Sequence, residues 1–371
     1  MCAVQVRSLD LKFRDEEVLK DVNFEIEEGD FCVVLGPSGS GKSMLLKCIA
    51  GLISPDSGTI SLRGIDSKDV QTADRDLGYV FQEFEETLFP HKTVKENIQF
   101  GLEQQSDELS SSEIETRIND ILDLLAITDT KQDYPTELSG GQQQRVEIAR
   151  QVVRRCDLML LDDPLADLDY KLEKRMEIEM RRIHRDLEST FLYVTHNQDQ
   201  GLRLADRIVV LNNGQIEQIG TPSEVYHDPQ TAFVALFVGD NNAFRGEVIE
   251  TDGDTVVVDT AIGSVNVSTT EEVVAGTEGI LTIRPEDIVI AEREENSTAT
   301  ATVQTAKFMG EQTELILQPR DTDQELLITK PGQTQYKAGD QVYLYLDKNE
   351  TQFFTTVSRT ETITIEELLK I

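Results

Sequence analysis

Apolar residues in the first third of the chain fall into two different rhythms. Val4, Val6, Leu9, Leu11 and Phe13 alternate with polar neighbours, and the alternation resumes from Val18 to Ile26. A period of two marks half-buried strands joined by turns, so an antiparallel pair is expected here. Phe31-Cys32-Val33-Val34-Leu35 is instead uninterruptedly apolar and rich in β-branched residues, which suits a strand buried on both faces. It runs into a glycine-rich turn, and Met44 to Ile49 then read as helix. Residues 105–157 are helix-rich, with Ile114, Ile118, Ile121, Leu122 and Leu125 at helical spacing. Further buried strands are expected at Leu158–Leu161, Phe191–Val194 and Ile208–Leu211, with helical segments between them. Strand and helix in alternation predict an α/β domain around a mainly parallel sheet.

The texture changes after Asp240-Asn241-Asn242. Short strands at Thr255–Val258, Gly279–Ile283, Thr313–Leu317 and Gln341–Leu346 are separated by Gly, Pro, Asp and Asn turns, which predicts an all-β region of one or two small barrels. The expected organisation is an α/β domain over 1–240 with a helical subdomain over about 84–157, a β-barrel domain over 241–358, and a tail at 359–371. That tail reads as a short helix or a loose end.

Composition narrows the function classes. The formal net charge is -34, with 35 basic and 69 acidic side chains. Residues 241–371 carry 10 basic and 24 acidic side chains, and the first 240 carry the remaining 25 and 45. Acidity spread through both parts is a property of the whole surface rather than of one binding segment. It resembles the composition of proteins that work in molar salt, where screening relieves self-repulsion, and it opposes nucleic acid, whose phosphates such a surface repels. No apolar run approaches the ~20 residues that cross a bilayer, and the opening residues lack a signal-peptide layout. Cys2, Cys32, Cys48 and Cys156 show no zinc or dithiol spacing. A cytoplasmic protein is expected.

Three motifs carry chemistry. Gly36, Pro37, Ser38, Gly39, Ser40, Gly41, Lys42 and Ser43 match the G-x-x-x-x-G-K-[ST] phosphate-binding loop between a strand and a helix. Glycines let backbone N–H groups close on a triphosphate at a helix start. Lys42 is expected to reach the β- and γ-phosphates and Ser43 to coordinate Mg²⁺. The second motif is the apolar run Leu158–Leu161 ending in Asp162 and Asp163, with Asp162 expected to hold Mg²⁺ and Asp163 to orient or deprotonate the attacking water. The third, Leu138-Ser139-Gly140-Gly141-Gln142-Gln143-Gln144-Arg145, opens a helical segment. Ser139 can cap it with Gln142 reaching back, and the glycines offer a second anion site. One molecule cannot easily bring both anion sites to one ATP; a head-to-tail dimer can.

In the order and spacing of these motifs, with Gln82 in Tyr-Val-Phe-Gln, Leu168-Asp169 and Val194-Thr195-His196, residues 1 to about 240 resemble the ATP-binding cassette ATPases, a P-loop NTPase fold with antiparallel and helical subdomains. The resemblance implies ATP and Mg²⁺ as ligands and assigns roles. Phe13 stacks on adenine, and Gln82 senses γ-phosphate and Mg²⁺ beside the membrane subunit. Asp169 crosses a homodimer interface, His196 contacts γ-phosphate, and the Ser139–Gln142 signature meets ATP in trans. The other histidines, His91, His184 and His227, read as structural or surface residues. Three departures stand out. Met44 occupies a position that usually carries a hydroxyl. Asp163 stands where the family has Glu. The segment Gln82–Pro90 is about two residues longer than usual, which leaves docking at residues 83–90 open.

The chain beyond the cassette points to an importer. Thr221–Tyr226 and Phe233–Gly239 resemble the end of importer ATPases. Ile283-Arg284-Pro285-Glu286-Asp287 and Phe308-Met309-Gly310-Glu311 resemble the TOBE-type accessory barrel of importers for sugars, polyamines, ferric ion, sulfate and molybdate. The implied partners are membrane permease subunits and a solute-binding protein, at the inner face of the membrane. Gln143-Gln144 leans towards the polyamine, ferric and oxyanion branches. Two other readings stay open: a non-transport cassette ATPase, and a switch that binds ATP but turns it over slowly.

Overall fold

A computed structural model describes residues 2–14, 16–82, 87–103, 109–166, 168–269, 273–291, 297–320, 322–360 and 368. The chain divides into two compact units, Met1–Glu224 and Val225–Ile371.

The first unit holds two sheets. An antiparallel one has the order β2-β1-β4-β5, from β1 (Cys2–Phe13), β2 (Glu16–Glu27), β4 (Ser57–Leu62) and β5 (Ile65–Asp66). Its period-two pattern puts Val4, Val6, Leu9, Leu11, Val22, Phe24 and Ile26 into the core. The second sheet has the order β10-β9-β3-β8-β7-β6: β3 (Phe31–Leu35), β6 (Leu77–Val80), β7 (Leu158–Asp162), β8 (Thr190–Thr195), β9 (Arg207–Asn212) and β10 (Gln215–Gly220). Every pairing in it is parallel except β9 with β10. β3, β7 and β8 are buried at every position, as strands covered on both faces must be. The short strand β6 adds to the strands expected from the sequence, because Leu77-Gly78-Tyr79-Val80 is too brief to show a period.

Helices α1 (Lys42–Ala50), α2 (Val94–Glu103), α3 (Ser111–Leu124), α4 (Gly140–Val152), α5 (Tyr170–Leu187) and α6 (Gln198–Leu204) complete this unit. α3 and α4 both begin with capping boxes, on Ser110/Glu113 and Ser139/Gln142. No helix among the described residues is long and apolar enough to cross a membrane.

The second unit starts at Val225, earlier than the expected boundary near 240. α7 (Pro222–His227) spans the division, and α8 (Ala232–Phe237) belongs with the β-rich unit. The amides of Ala232 and Phe233 donate to Thr356 O and Val357 O, and α8 packs on β14. Two five-stranded antiparallel sheets complete the unit, β13-β12-β11-β14-β20 and β15-β19-β16-β17-β18. Their strands are β11 (Asn242–Asp252), β12 (Thr255–Thr260), β13 (Gly263–Ser268), β14 (Glu278–Ile283), β15 (Val289–Ala291), β16 (Ala299–Phe308), β17 (Gln312–Pro319), β18 (Leu326–Pro331), β19 (Gln341–Tyr345) and β20 (Thr351–Phe354). Both sheets contribute to one core that includes Phe244, Val258, Leu281, Leu315, Ile328 and Leu344.

The 284–287 segment is a turn, with Asp287 N donating to Arg284 O, but Arg284 makes no ion pair inside it among the described residues. Its buried guanidinium donates to Val238 O, Asp240 O and Tyr226 O at 2.7, 3.0 and 2.8 Å and lies 4.0 Å from the Tyr226 ring centroid. Tyr226 Oη donates in turn to Glu286. Phe308 and Met309 are exposed at the tip of the β16–β17 hairpin. In the C-terminal tail the description reaches only 359, 360 and 368, so its helix-or-tail alternative lies outside the described residues.

Candidate active site

In a parallel sheet, ligand sites form beyond the C-terminal ends of the strands. Four strands of the sheet deliver their next residues to that edge here: β3 the loop 36–43, β7 Asp163, β8 His196, and β6 Gln82. Register aligns them, with Leu35 opposite Thr195, Asp162 opposite Val194, and Val80 opposite Leu161.

The glycines of the loop are there for space and backbone conformation. A Cβ at Gly36 would stand 2.1 Å from Leu211 O, and Gly41, at φ 99°, would put one 2.7 Å from Val18 O. α1 begins directly after, and its first i→i−4 bond is Leu45 N to Gly41 O at 2.9 Å. The amides of Lys42, Ser43 and Met44 therefore precede the helical ladder, in the arrangement that binds anions. Met44 needs no hydroxyl for that contribution; its side chain packs on the hydrophobic core.

Lys42 Nζ donates to Gly36 O and Pro37 O, both at 2.8 Å, so the loop closes around the ammonium. Burial holds the Lys42 pKa below the usual lysine range, opposed by the charges of Asp163 and Asp162. Ser43 Oγ donates to Asp162 Oδ1 at 2.7 Å, and Tyr79 Oη donates to Asp162 Oδ2 at 3.2 Å. Burial raises the pKa of Asp162, and these two hydrogen bonds oppose it. Burial likewise raises that of Tyr79.

Asp163 adopts a left-handed backbone, φ 45°, with its amide donating to Val194 O at 2.9 Å. An aspartate tolerates that conformation at a modest cost. The residue is 7% exposed, and its carboxylate is held at both oxygens. Thr195 Oγ1 lies 3.1 Å from Oδ1, and His196 Nδ1 lies 2.7 Å from Oδ2. A carboxylate only accepts, so the His196 nitrogen that faces it, Nδ1, carries a proton.

Gln82 is exposed, two residues beyond β6, and no hydrogen bond joins it to Ser43 or Asp162 among the described residues. Much of the long segment after it, residues 83–86, lies outside the described residues. Phe13 is 50% exposed at the end of β1, with the Arg14 guanidinium 5.3 Å from its ring centroid, so it is not a strand-core residue.

Ser139 and Gln142 form the capping box of α4, with Ser139 N donating to Gln142 Oε1 at 2.9 Å. Gly140 has open space where a Cβ would stand, while the Cβ position of Gly141 is 3.3 Å from Leu168 Cδ2. Gly140 thus has no steric reason inside its own chain to be glycine. Asp169 is exposed and caps α5, accepting from Leu172 N at 3.1 Å. The signature and the 168–169 segment are therefore neighbours, and no hydrogen bond links the signature to the loop 36–43 among the described residues. Of the remaining histidines, His184 stacks edge-on to Phe31 and Phe191, a packing role.

Sequence reasoning missed Tyr79, Thr195, Gln200, Tyr193 and Glu173. The signal was present in part: Tyr79, Tyr193 and Thr195 are polar groups inside otherwise apolar strands, where each must find a hydrogen-bond partner.

Comparisons with known proteins agree with this geometry. A family model described as "ABC transporter" matches residues 19–166, and one described as "TOBE domain" matches 281–354. The spermidine/putrescine import ATP-binding protein PotA of Haemophilus influenzae is 40% identical over 301 residues, covering 81% of this chain and 80% of that one. The sulfate/thiosulfate import ATP-binding protein CysA of Mannheimia succiniciproducens is 36% identical over 352 residues, 93% and 97% of the two chains. Among solved structures, the cassette MJ0796, dimeric in a post-hydrolysis state with ADP and Pi, superposes with a TM-score of 0.54 at 30% identity. It covers 59% of this chain and 98% of its own.

Proposed function

Since the chain belongs to the ATP-binding cassette transporter family, among the import ATP-binding subunits that carry a TOBE domain, we propose that it works as a homodimer closing around two MgATP to drive a permease. The observation that carries this reading is the meeting of Lys42, Ser43, Asp162, Asp163 and His196 at one sheet edge.

The residues present suit Mg²⁺: Ser43 Oγ and Asp162 Oδ1 are adjacent hard oxygen donors that would hold the ion. When bound, the ion neutralises charge on the β- and γ-phosphates. Lys42 and the first-turn amides of α1 hold the phosphates, and Phe13 offers an exposed ring to adenine. Asp163 accepts a proton from the attacking water, and His196, oriented by Asp163, contacts the γ-phosphate through Nε2. Gln82 reports the ligand state to the permease. The open face at Gly140 fits a signature that meets nucleotide on the partner subunit, with Asp169 at the same interface.

ATP-driven closure turns the permease outward, a solute-binding protein delivers cargo, and hydrolysis reopens the dimer at the inner face of the membrane. The relatives' names support a polyamine or a sulfur oxyanion as cargo. The test is to purify the chain with its permease from native membranes in molar KCl and measure ATP-dependent uptake of radiolabelled spermidine and sulfate in proteoliposomes. Uptake of either, lost in Asp163→Asn, supports the reading; hydrolysis unchanged in Asp163→Asn overturns the assignment of the base. Absence of any permease in the purified complex overturns the transport reading.

A further inference from the structure

A buried hydrogen-bond chain runs from behind Asp163 to the beginning of α5. Thr195, fully buried at the end of β8, has Oγ1 3.1 Å from Asp163 Oδ1 and also 3.1 Å from Gln200 Oε1. Gln200 is 2% exposed on α6. Its Oε1 accepts from Tyr193 Oη at 2.9 Å, and its Nε2 donates to Glu173 Oε1 at 3.0 Å. Asn197 Nδ2 donates to the same Glu173 oxygen at 3.3 Å, and Asn197 Oδ1 accepts from Gln200 N at 3.2 Å.

Counting protons gives this chain a direction. A glutamate carboxylate only accepts, so the Gln200 amide nitrogen must face Glu173 and its oxygen must face Tyr193 and Thr195. Tyr193 places its single proton on that oxygen. Thr195 then has one hydroxyl proton and two acceptors within reach. Gln200 Oε1 is already served by Tyr193, whereas Asp163 Oδ1 is charged and makes the stronger bond. Asn197 N, donating to Thr195 Oγ1 at 3.1 Å, fills an acceptor site on the hydroxyl and further favours its pointing at Asp163.

We propose that Thr195, oriented by Gln200 and Glu173, is a positioning residue for Asp163. Its hydroxyl fixes Oδ1 while His196 fixes Oδ2, and a carboxylate held at both oxygens cannot rotate about its terminal bond. Each oxygen keeps a second lone pair, so the clamp leaves room for the proton of the attacking water. The side chain at 163 is one methylene shorter than glutamate and has one rotamer angle fewer to lose. The clamp removes its residual rotation and sets the plane in which it meets water. This rests on the reading of Asp163 as the general base.

The test is hydrolysis by the full chain with its permease in molar KCl, measured at steady state and in single turnover, for Thr195→Val, Thr195→Ser, Gln200→Met, Asp163→Asn and the double variant Asp163→Asn/Thr195→Val. Thr195→Val is expected to lower kcat by about ten- to a hundredfold, the worth of a hydrogen bond to a charged group, with KM for ATP unchanged. Thr195→Ser restores kcat to within about threefold, because the donor is back. Gln200→Met lowers kcat less and in the same direction. In the Asp163→Asn background Thr195→Val has no further effect, since no carboxylate is left to hold. Wild-type kcat in Thr195→Val, a loss confined to KM, failure of the serine variant, or the same fold-loss in both backgrounds each overturns the proposal. Asp163→Asn inactive with Thr195→Val fully active removes the clamp and leaves the base assignment standing; Asp163→Asn at wild-type rate removes both. Should the valine variant not fold, Thr195→Ala serves in the same comparisons.

Discussion

Ser43 Oγ donates to Asp162 Oδ1 at 2.7 Å across 119 positions of sequence, and through that bond the phosphate loop and the acidic strand become one site. The same carboxylate is costly to the folded chain. Burial raises its pKa above 3.8, so folding favours the protonated form. The stability Asp162 contributes is complete below pH 3.8 and is lost as pH rises through the raised folded value. At neutral pH the ionised side chain weighs against folding. Asp162→Asn, which cannot ionise, is therefore expected to raise Tm at pH 7 to 8, with the gain shrinking as the pH is brought down to about 4. Hydrolysis in the same variant falls by about a hundredfold or more, because an amide is a poor magnesium ligand. Thermal melts followed by circular dichroism across that pH range check the first half, and a phosphate-release assay the second.

Two glycines are expected to fail in opposite ways. Gly36→Ala drives a methyl group into Leu211 O, 2.1 Å from the Cβ position, and is expected to cost about 1–3 kcal/mol or to block folding. Gly140→Val meets open space in its own chain, and Tm is expected to stay within about 2 °C. What Gly140→Val loses is ATP-dependent dimerisation, read by analytical ultracentrifugation with non-hydrolysable ATP. Normal dimerisation in this variant would show that the signature does not meet nucleotide on a partner.

The surface charge leads to a prediction about salt. With a net charge of -34 on 371 residues, self-repulsion opposes the compact state. Diluting KCl from 1 M to 0.1 M lengthens the screening distance from about 3 to about 10 Å. Tm is expected to drop by about 4–8 °C, the equivalent of about 2 kcal/mol for a unit of this size. The chain has no tryptophan, so calorimetry or circular dichroism is the suitable probe. A Tm that is flat or rising on dilution would separate the acidity from any adaptation to salt.

Arg284 is expected to matter for the second unit far more than its place in a surface-looking turn suggests. It serves three backbone carbonyls, on Tyr226, Val238 and Asp240. Arg284→Ala is expected to destabilise residues 225–371 by about 3 kcal/mol, since it removes the donor to one buried and two part-buried carbonyls together with the ring contact. Proteolysis in a urea series, with cleavage mapped by mass spectrometry, would show that unit opening at lower urea than in the wild type.

The parts of the molecule legible in the sequence are those whose chemistry is local. The loop 36–43, the apolar strand ending in Asp162 and the capping box at Ser139 and Gln142 each depend on neighbours within a few residues, and each is present. Thr195 and Gln200 are not legible in that way. Both are ordinary polar residues, and their role comes from side-chain direction, which burial of β8 and the start of α6 at Asn197 determine together. The domain boundary departs from its expected place for a similar reason. The short helices α7 and α8 look like the end of the α/β region, yet the partners of α8 are Thr356 and Val357, more than a hundred positions downstream. The anchoring role of Arg284 is not legible in the sequence because its carbonyl partners lie 44 to 58 residues away.

The turn between β9 and β10 bears on how nucleotide is held. Gly214 N donates to Ser40 O and Lys20 N donates to Gly214 O, while the Cβ positions of Gly41 and Gly214 both crowd Val18 O. The phosphate loop and the β1–β2 hairpin, with Phe13 at its turn, are thereby stapled into a single body. On the proposed reading, adenine and triphosphate would be met by parts that these bonds join, so capture of ATP would require little ordering of the protein. Binding energy that is not spent on ordering the site is, on the proposed reading, available for closing the dimer.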